Sequence, residues 1–469
     1  MNRQLFLMLS GFSLVLCSCS LAPKYNQPQS PIPGEWPQGA AYTDTKSMPD
    51  EVAVAELSRK EFFPDQQLQK IIAMALEKNR DLRLAALNVE RARAMYGVQR
   101  AELLPAVNAS GVGGKQQFSS DLIGSGESRT LEYYRVDLGI ASWEIDFFGR
   151  IRSLSQRALD EYMATEQAQR SAHIALVAEV ARVYLTLAKD QENLKLAQST
   201  LESQRGDYDL IQHRYEVGIG TELDLRRAQS RVDAAKRDIA GFIQQVAQDQ
   251  NALNLLAGSP VPGTFLPTDL STIIPPKEIS PGLSSEVLLN RPDIIAAEYR
   301  LKGAYALIGA ARASLFPRIS LTTSIGTASG DLSGLFNSGT DVWNFAPQIV
   351  MPIFDARVWA ALRVSKADQK ILLTQYEKTI QVAFKEVADA LAVQGTIDQQ
   401  LAAQQSLVNA VAETHRLAGK RFTTGVDNYF SVLDAQRSLY AQQRVLIVLR
   451  LAKLVNRVNL YAVLGGGSD

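Results

Sequence analysis

Residues 81–114, DLRLAALNVERARAMYGVQRAELLPAVNASGVGG, and residues 293–326, DIIAAEYRLKGAYALIGAARASLFPRISLTTSIG, align without a gap at a constant offset of 212. Asp81/Asp293, Ala85/Ala297, Gly97/Gly309, Arg100/Arg312, Leu103/Leu315, Pro105/Pro317 and Gly114/Gly326 are identical pairs. Past a loop of different length the match resumes at an offset of 207, through Phe147/Phe354, Arg150/Arg357, Glu179/Glu386, Arg214/Arg421, Gly218/Gly425 and Gly258/Gly465. A repeat of this length exceeds any solenoid unit. It reads as a duplicated half-molecule in which each copy builds the same structural unit.

Proline marks the boundaries of those copies. Prolines cluster before residue 66 and again between Pro260 and Pro281, whereas residues 106–259 and 353–469 contain none. The proline-free tracts are rich in Ala, Leu, Gln, Glu, Arg and Lys, the strong helix formers. They also carry coiled-coil spacing. Leu176, Val180, Val183, Leu187, Leu194, Ala197 and Leu201 follow steps of three, four or seven, as do Ile380, Phe384, Val387 and Leu391. Leu401, Val408 and Val411 follow the same spacing, as do Val448, Leu451, Val455, Val458 and Ala462. Such steps keep one seam turned toward a neighbouring helix. A helix from Ile151 to Arg214 would run roughly 95 Å at 1.5 Å per residue, a length that belongs to a rod, bundle or tube. Each tract breaks once, at Gly218 and at Gly425, residues suited to a helix C-terminus that needs positive φ. Thr221-x-x-Asp224 resembles a capping box opening the return helix, and Asp427 is placed to cap its counterpart.

Upstream of each long helix the hydrophobic period changes to two. Val136, Leu138 and Ile140 alternate with Arg135, Asp137 and Gly139. Ile319, Leu321, Thr323 and Ile325 alternate with Ser320, Thr322 and Ser324, and Trp343, Phe345 and Ile349 alternate with Asn344, Ala346 and Gln348. Residues 106–114 show a weaker version. These strands of about ten residues have the two faces a membrane barrel requires, although a soluble antiparallel sheet alternates in the same way. Gly/Ser-rich loops at 115–130 and 327–340 separate the members of each pair. Four strands cannot close a membrane barrel, which needs about eight. Two copies would supply eight strands and three copies twelve, so self-assembly is expected.

The chain's start favours the membrane reading. Residues 5–16 form an apolar run of signal-peptide length ending in Leu16-Cys17-Ser18-Cys19, too short to span a bilayer. A small residue before Cys19 and a leucine three before it resemble a bacterial lipoprotein signal, with Cys19 as the lipidated N-terminus; Cys17 fits less well because Leu16 is bulky. Ser20 takes the place where inner-membrane retention signals carry Asp, which favours the outer membrane. The chain has two cysteines in all, which leaves none in the mature chain for disulfides or metal sites. Lys plus Arg and Asp plus Glu are both 49, so no basic excess points to nucleic acid. No later stretch approaches 18 uninterrupted apolar residues, and a transmembrane helix is not expected.

Cys19-Ser20-Leu21-Ala22-Pro23-Lys24-Tyr25, Asn290-Arg291-Pro292-Asp293-Ile294, Leu315-Phe316-Pro317, Gly425-Val426-Asp427-Asn428-Tyr429 and Leu433-Asp434-Ala435-Gln436-Arg437 resemble the TolC-like outer-membrane efflux channel family. The branch is the lipoprotein type serving multidrug pumps of the resistance-nodulation-division class. The resemblance implies an α+β membrane protein. It would be a homotrimer with a twelve-stranded barrel in outer-membrane lipid, continued by a long periplasmic α-helical barrel. It further implies a passive exit duct for drugs and small toxic compounds, docked to a periplasmic adaptor and an inner-membrane transporter, with no cofactor beyond the lipid on Cys19. The chain would divide into a signal peptide (1–18), an extended anchored segment (19–65), a first repeat (66–259), a Pro-rich linker (260–283), a second repeat (284–465) and a tail (466–469). Two other readings stand beside it: a non-conducting coiled-coil lipoprotein that braces the periplasm, and a metal-ion efflux channel, though Met48, Met74, Met95, Met163 and Met351 form no soft-ligand cluster. An enzyme is not expected. His173, His213 and His415 are isolated in helical tracts, without a phosphate loop, nucleophile elbow or metal-ligand spacing.

In the family the periplasmic end of the tube closes like an iris, which puts both turns there. A ring of Asp427 carboxylates would attract cations and repel anions, unless Asp427 merely caps the next helix; one residue can do both. Its repeat counterpart is Gly220. Arg214, Tyr215, Arg421 and Phe422 either lock the closed tip or pack against the return helices, packing being favoured for Phe422. Gly218 and Gly425 are candidates for adaptor contact, and Arg135 and Asp137 for the barrel lumen.

Overall fold

The computed structural model describes residues 20–42, 57–119, 129–279 and 284–466. The signal peptide, Cys17 and Cys19 lie outside the described residues, as do 43–56, most of the first strand loop, 280–283 and 467–469. Among the described residues the helices are α1 (Arg59–Phe62), α2 (Gln66–Lys78), α3 (Arg80–Ala101), α4 (Arg150–Glu216), α5 (Glu222–Ala257), α6 (Pro292–Ala313), α7 (Ala356–Thr423) and α8 (Tyr429–Val463). The strands are β1 (Val107–Phe118), β2 (Arg129–Ile145), β3 (Arg318–Ser329) and β4 (Asp341–Val350). The long helices α4 and α7 have 67 and 68 residues, and the return helices α5 and α8 have 36 and 35. The duplication is therefore carried into three dimensions, element by element.

The chain forms two compact units. Of the described residues, the first holds those in 20–29, 88–166 and 296–376; the second holds those in 30–87, 167–295 and 377–466. The sheet belongs to the first, with strand order β1-β2-β3-β4 and antiparallel pairing throughout. Val136, Leu138 and Ile140 share a face with Ile325, Trp343 and Phe345, because directly paired residues point the same way. Between Ile140 and Trp143 the register shifts, and Ser142 takes a positive φ of 53° while its N–H donates to Thr322 Oγ1 at 3.1 Å. This bulge adds one residue and keeps Trp143 and Ile145 on the apolar side, opposite Leu321 and Ile319.

The strands run further than the sequence reading placed them. Pairing continues through Lys115↔Glu132 to Phe118↔Arg129, and β3 extends to Ser329. The loops at 115–130 and 327–340 are correspondingly shorter, because the ladder is sustained by backbone hydrogen bonds that polar side chains do not interrupt.

In the second unit Val180, Leu187, Ala197, Ile380 and Val387 are buried as their spacing predicts. The C-terminal seam differs: Val448 is exposed while Leu446 and Ile447 are buried. A rotation by one or two positions moves a helical residue off the contact stripe. One window of α4 is long and apolar enough by composition to cross a membrane, contrary to the uninterrupted-run criterion. Half of it is buried inside the protein, including Val177, Val180, Tyr184 and Leu185, as a core helix requires. The repeat also shows in paired joints. Asn79 Nδ2 donates to the Leu256 carbonyl at 2.9 Å, and Arg291 Nη1 donates to the Val463 carbonyl at 2.7 Å. The two donors and the two acceptors are repeat equivalents, and each bond satisfies a carbonyl at the end of a return helix.

Candidate functional site

Both helix turns belong to the second unit, and they share one construction. At the end of α4, Gly218 has φ +80°; its N–H donates to the Tyr215 carbonyl and the Ile219 N–H to the Arg214 carbonyl. At the end of α7, Gly425 has φ +77°; its N–H donates to Phe422 and the Val426 N–H to Arg421. Both are Schellman motifs. A side chain at either glycine would meet nothing within 4 Å, so backbone conformation rather than tight packing requires glycine here. Gly220 is different, since a Cβ there would lie 2.9 Å from the Tyr215 nitrogen.

The return helices start from side-chain caps. Thr221 accepts from the Asp224 N–H at 3.2 Å, and its hydroxyl donates to Asp224 Oδ2 at 2.7 Å. The expected box is thus half formed: the Asp224 carboxylate binds the cap hydroxyl instead of the cap N–H, because Asp is shorter than the Glu or Gln that reaches back. On α8 the cap is Asn428, which accepts from the Ser431 N–H at 3.3 Å. Asp427 is not the cap, as the sequence reading allowed, but the residue before it. Its Oδ1 accepts from the Asn428 N–H at 2.8 Å and the Ser431 hydroxyl at 3.1 Å, and its Oδ2 lies 3.4 Å from Arg421 Nε. Those backbone and hydroxyl donors, with Arg421, hold its carboxyl below the usual aspartate range. The group is an anion at neutral pH.

The two turns are brought together by a small core drawn from all four helices. Ile211, Ala228, Ala418, Tyr429, Val432, Leu433 and Ala435 are buried, with Tyr208, Leu225 and Phe422 packed against them. Phe422 lies 5.3 Å from the Tyr429 ring, and the Arg214 guanidinium sits over its face at 5.1 Å, a favourable place for a cation. The sequence-selected residues thus form one cluster with three layers: Phe422 in the core, Arg214 across it and the Arg421–Asp427 pair outside. Tyr215 is exposed. Sequence reasoning missed the exposed apolar residues around the turns, Val217, Ile219, Leu223, Val426 and Phe430. Their signal was available, since apolar residues beside a glycine turn on a solvated tip are out of place.

In the sheet, Arg135 Nε bonds both oxygens of Asp137 at 2.7 Å, and Arg135 Nη2 donates to Ser324 Oγ at 3.2 Å. Arg135 and Asp137 stand on the face opposite Val136, Leu138, Trp343 and Phe345. The sheet therefore has one charged, hydrogen-bonded face and one apolar face carrying exposed Leu138, Ile325, Trp343 and Phe345.

A family model described as outer membrane efflux protein matches residues 71–259 and 283–466. The solvent efflux pump outer membrane protein SrpC of Pseudomonas putida is 46% identical over 459 residues, spanning 97% of this chain and 96% of SrpC. The antibiotic efflux pump outer membrane protein ArpC of Pseudomonas putida is 44% identical over 465 residues, 98% of this chain and 95% of ArpC. Among solved structures, the open state of the MtrE outer membrane channel of Neisseria gonorrhoeae matches with a TM-score of 0.84 at 37% identity, covering 96% of this chain and 98% of that one. A duplicated helix–strand chain, matched by the family in both halves and by relatives nearly end to end, belongs to the outer membrane efflux protein family and is an outer-membrane component of an efflux pump.

Proposed function

We propose that this chain assembles as a trimer into a passive exit duct, twelve strands in the outer membrane continued by a tube of helices in the periplasm. The observation that carries this reading is the two-faced four-stranded sheet, whose outer strands β1 and β4 each have one unpaired edge. Open edges in lipid would leave backbone groups unsatisfied, and closure with further copies removes them. The apolar face suits lipid, and Arg135 and Asp137 suit a water-filled lumen. Strands with a lipid-suited face argue against a periplasmic strut, which needs no barrel. The chain works passively, so an inner-membrane transporter of the resistance-nodulation-division class and a periplasmic adaptor supply energy and cargo. Lipid on Cys19 anchors the mature chain. Solvents and antibiotics, the cargo in the names of SrpC and ArpC, define the class of compound we assign.

We assign the aperture to the paired turns. Three Asp427 carboxylates, each held ionised by its own turn, form an acidic ring that favours cations. The exposed Val217, Ile219, Val426 and Phe430 flank Gly218 and Gly425 and give an adaptor an apolar foothold. Planar-bilayer conductance of the purified, lipidated protein tests the reading, wild type beside Asp427→Ala. Discrete steps, less cation-selective in the variant, are expected. Steps unchanged by the substitution remove Asp427 from the aperture, and correctly folded oligomers that never conduct would sink the channel itself.

A further inference from the structure

The loop between β3 and β4 closes its own backbone bonds. The N–H groups of Gly334, Leu335 and Asn337 donate to the carbonyls of Asp331, Leu332 and Gly334, and the Ala328 N–H donates to Thr340. The Thr340 hydroxyl donates to the Leu335 and Asn337 carbonyls at 3.1 and 2.7 Å. Leu335 is 5% exposed, while Leu332 and Phe336 on either side of it are 65% and 76% exposed. A single apolar side chain in water needs no explanation, but a pair that extends an apolar face does.

That face is the one carrying Val136 and Leu138. Thr327 pairs with Val136 and Ser329 with Tyr134, so Ser329 points to the same side. A Cβ on Gly334 would stand 3.1 Å from Ser329 Oγ, so the loop folds back over the apolar side and not over Arg135 and Asp137. Its height follows from strand geometry. From Ile319 to Ser329 about ten residues advance about 3.3 Å each. A tilt of about 40° turns that into about 25 Å, the height of a barrel's apolar band. The helices join the sheet at the Ile319 end, so Ser329 marks the far edge of the band. Beyond it, on the same face, Glu132 is ion-paired with Lys115, charges that lipid tolerates near the interface and not at its midplane. A Cβ on Gly330 would stand 3.9 Å from the Glu132 carbonyl oxygen, which starts the loop at that level.

We propose that this loop is a membrane foot that seats Leu332 and Phe336 among the lipids of the outer leaflet, where acyl chains give way to headgroups. The inference rests on the barrel reading above and adds a lipid contact outside the strands. The occupant is lipid because the two side chains continue the apolar face of Ile325, Trp343 and Phe345, which that reading turns to lipid. Aromatic residues gather at this boundary in membrane barrels. The bonds inside the loop lower the cost of bringing its backbone to the edge of a region poor in water. Charges above and apolar strands below then hold the barrel at one depth.

Phe336→Cys tests this, labelled with a thiol-reactive, environment-sensitive dye in the lipidated protein and reconstituted into phospholipid vesicles. Wild type treated alike gives the background from the two native cysteines. Phe345→Cys reports the sheet face, and Ser338→Cys the polar part of the loop. Lipids with a spin-label quencher near the headgroup should quench the dye at 336 more than lipids with one near the chain end, and aqueous iodide should spare it. The dye at 345 should show the reverse order of lipid quenching, and iodide should quench the dye at 338. A dye at 336 reached by iodide and not by lipid, with 345 still quenched by lipid, overturns the foot and leaves the barrel standing. Dyes at 336 and 345 both untouched by the lipid quenchers overturn both. Equal lipid quenching at 336 and 338 assigns the contact to the dye rather than to the side chain, and also overturns the foot. Should a cysteine variant fail to assemble, a photoreactive amino acid at Phe336 in native outer membranes decides it. Lipid adducts support the foot; adducts to protein alone refute it.

Discussion

Asp160 lies 5% exposed on α4, and burial pushes its carboxyl up to about 6, opposed by a hydrogen bond from Gln156 and by the charge of Lys302. Unfolded, the same group loses its proton near the usual value of about 3.9. Between these values the folded state binds more protons than the unfolded, so stability falls as pH rises through the window. A displacement of about two units corresponds to roughly 3 kcal/mol above pH 6. Asp160→Asn should therefore melt at a higher temperature than wild type at pH 7.5 and at about the same temperature at pH 4; equal gains at both values would remove the charge from the explanation. The repeat-equivalent donors Asn79 and Arg291 allow a second comparison. Arg291 also binds Asp293 and Glu386 at 2.7 and 3.1 Å, both on partly exposed side chains, so Arg291→Ala strands the Val463 carbonyl and leaves the two carboxylates to water. About 2 kcal/mol is expected from denaturant unfolding for each variant, since Asn79→Ala strands both the Leu256 carbonyl and the Leu82 N–H. Asn79 also accepts from the Leu82 N–H at 2.9 Å, so in sequence it reads as a local helix cap and gave no hint of this joint.

Gly218 and Gly425 are where a whole element ends by the choice of one residue type. A non-glycine residue held at positive φ costs about 1–2 kcal/mol, so Gly425→Ala should loosen the α7–α8 turn by that amount. Faster hydrogen exchange at the Val426 and Gly425 amides, with the distant Phe62–Tyr461 aromatic stack unaffected, is the expected outcome. Uniformly faster exchange would mean the turn nucleates far more than itself. These turns were legible because positive φ selects glycine locally. The cap of α8 was read one residue early, since Asp427 and Asn428 are both good capping types and only backbone geometry chooses between them. Strand ends were misplaced for a related reason: pairing depends on the partner strand, which no local window contains.

At the scale of the whole molecule, the requirement for partners follows from arithmetic on strands and edges, while the number of partners does not. Two chains would close eight strands and three would close twelve. Native mass spectrometry from detergent should report three copies; two would replace the twelve-stranded barrel with an eight-stranded one and call for a narrower duct. The apolar residues left exposed on α3 and α7 are surfaces the proposed assembly would cover and those of the sheet would face lipid, so that loss of both from water would supply its driving force.

Periodicity and duplication, both properties of order along the chain, determined by sequence alone that this protein has long paired helices, glycine turns, two-faced strands and two equivalent halves. Tertiary structure decided what meets across distance: that Phe422 enters the tip core beneath Arg214, that Val448 faces out while Leu446 and Ile447 face in, and that Arg291 closes on the end of α8. The physical reason is that hydrophobic spacing specifies which face of an element must be buried, whereas the neighbour that buries it is set by packing among segments hundreds of residues apart.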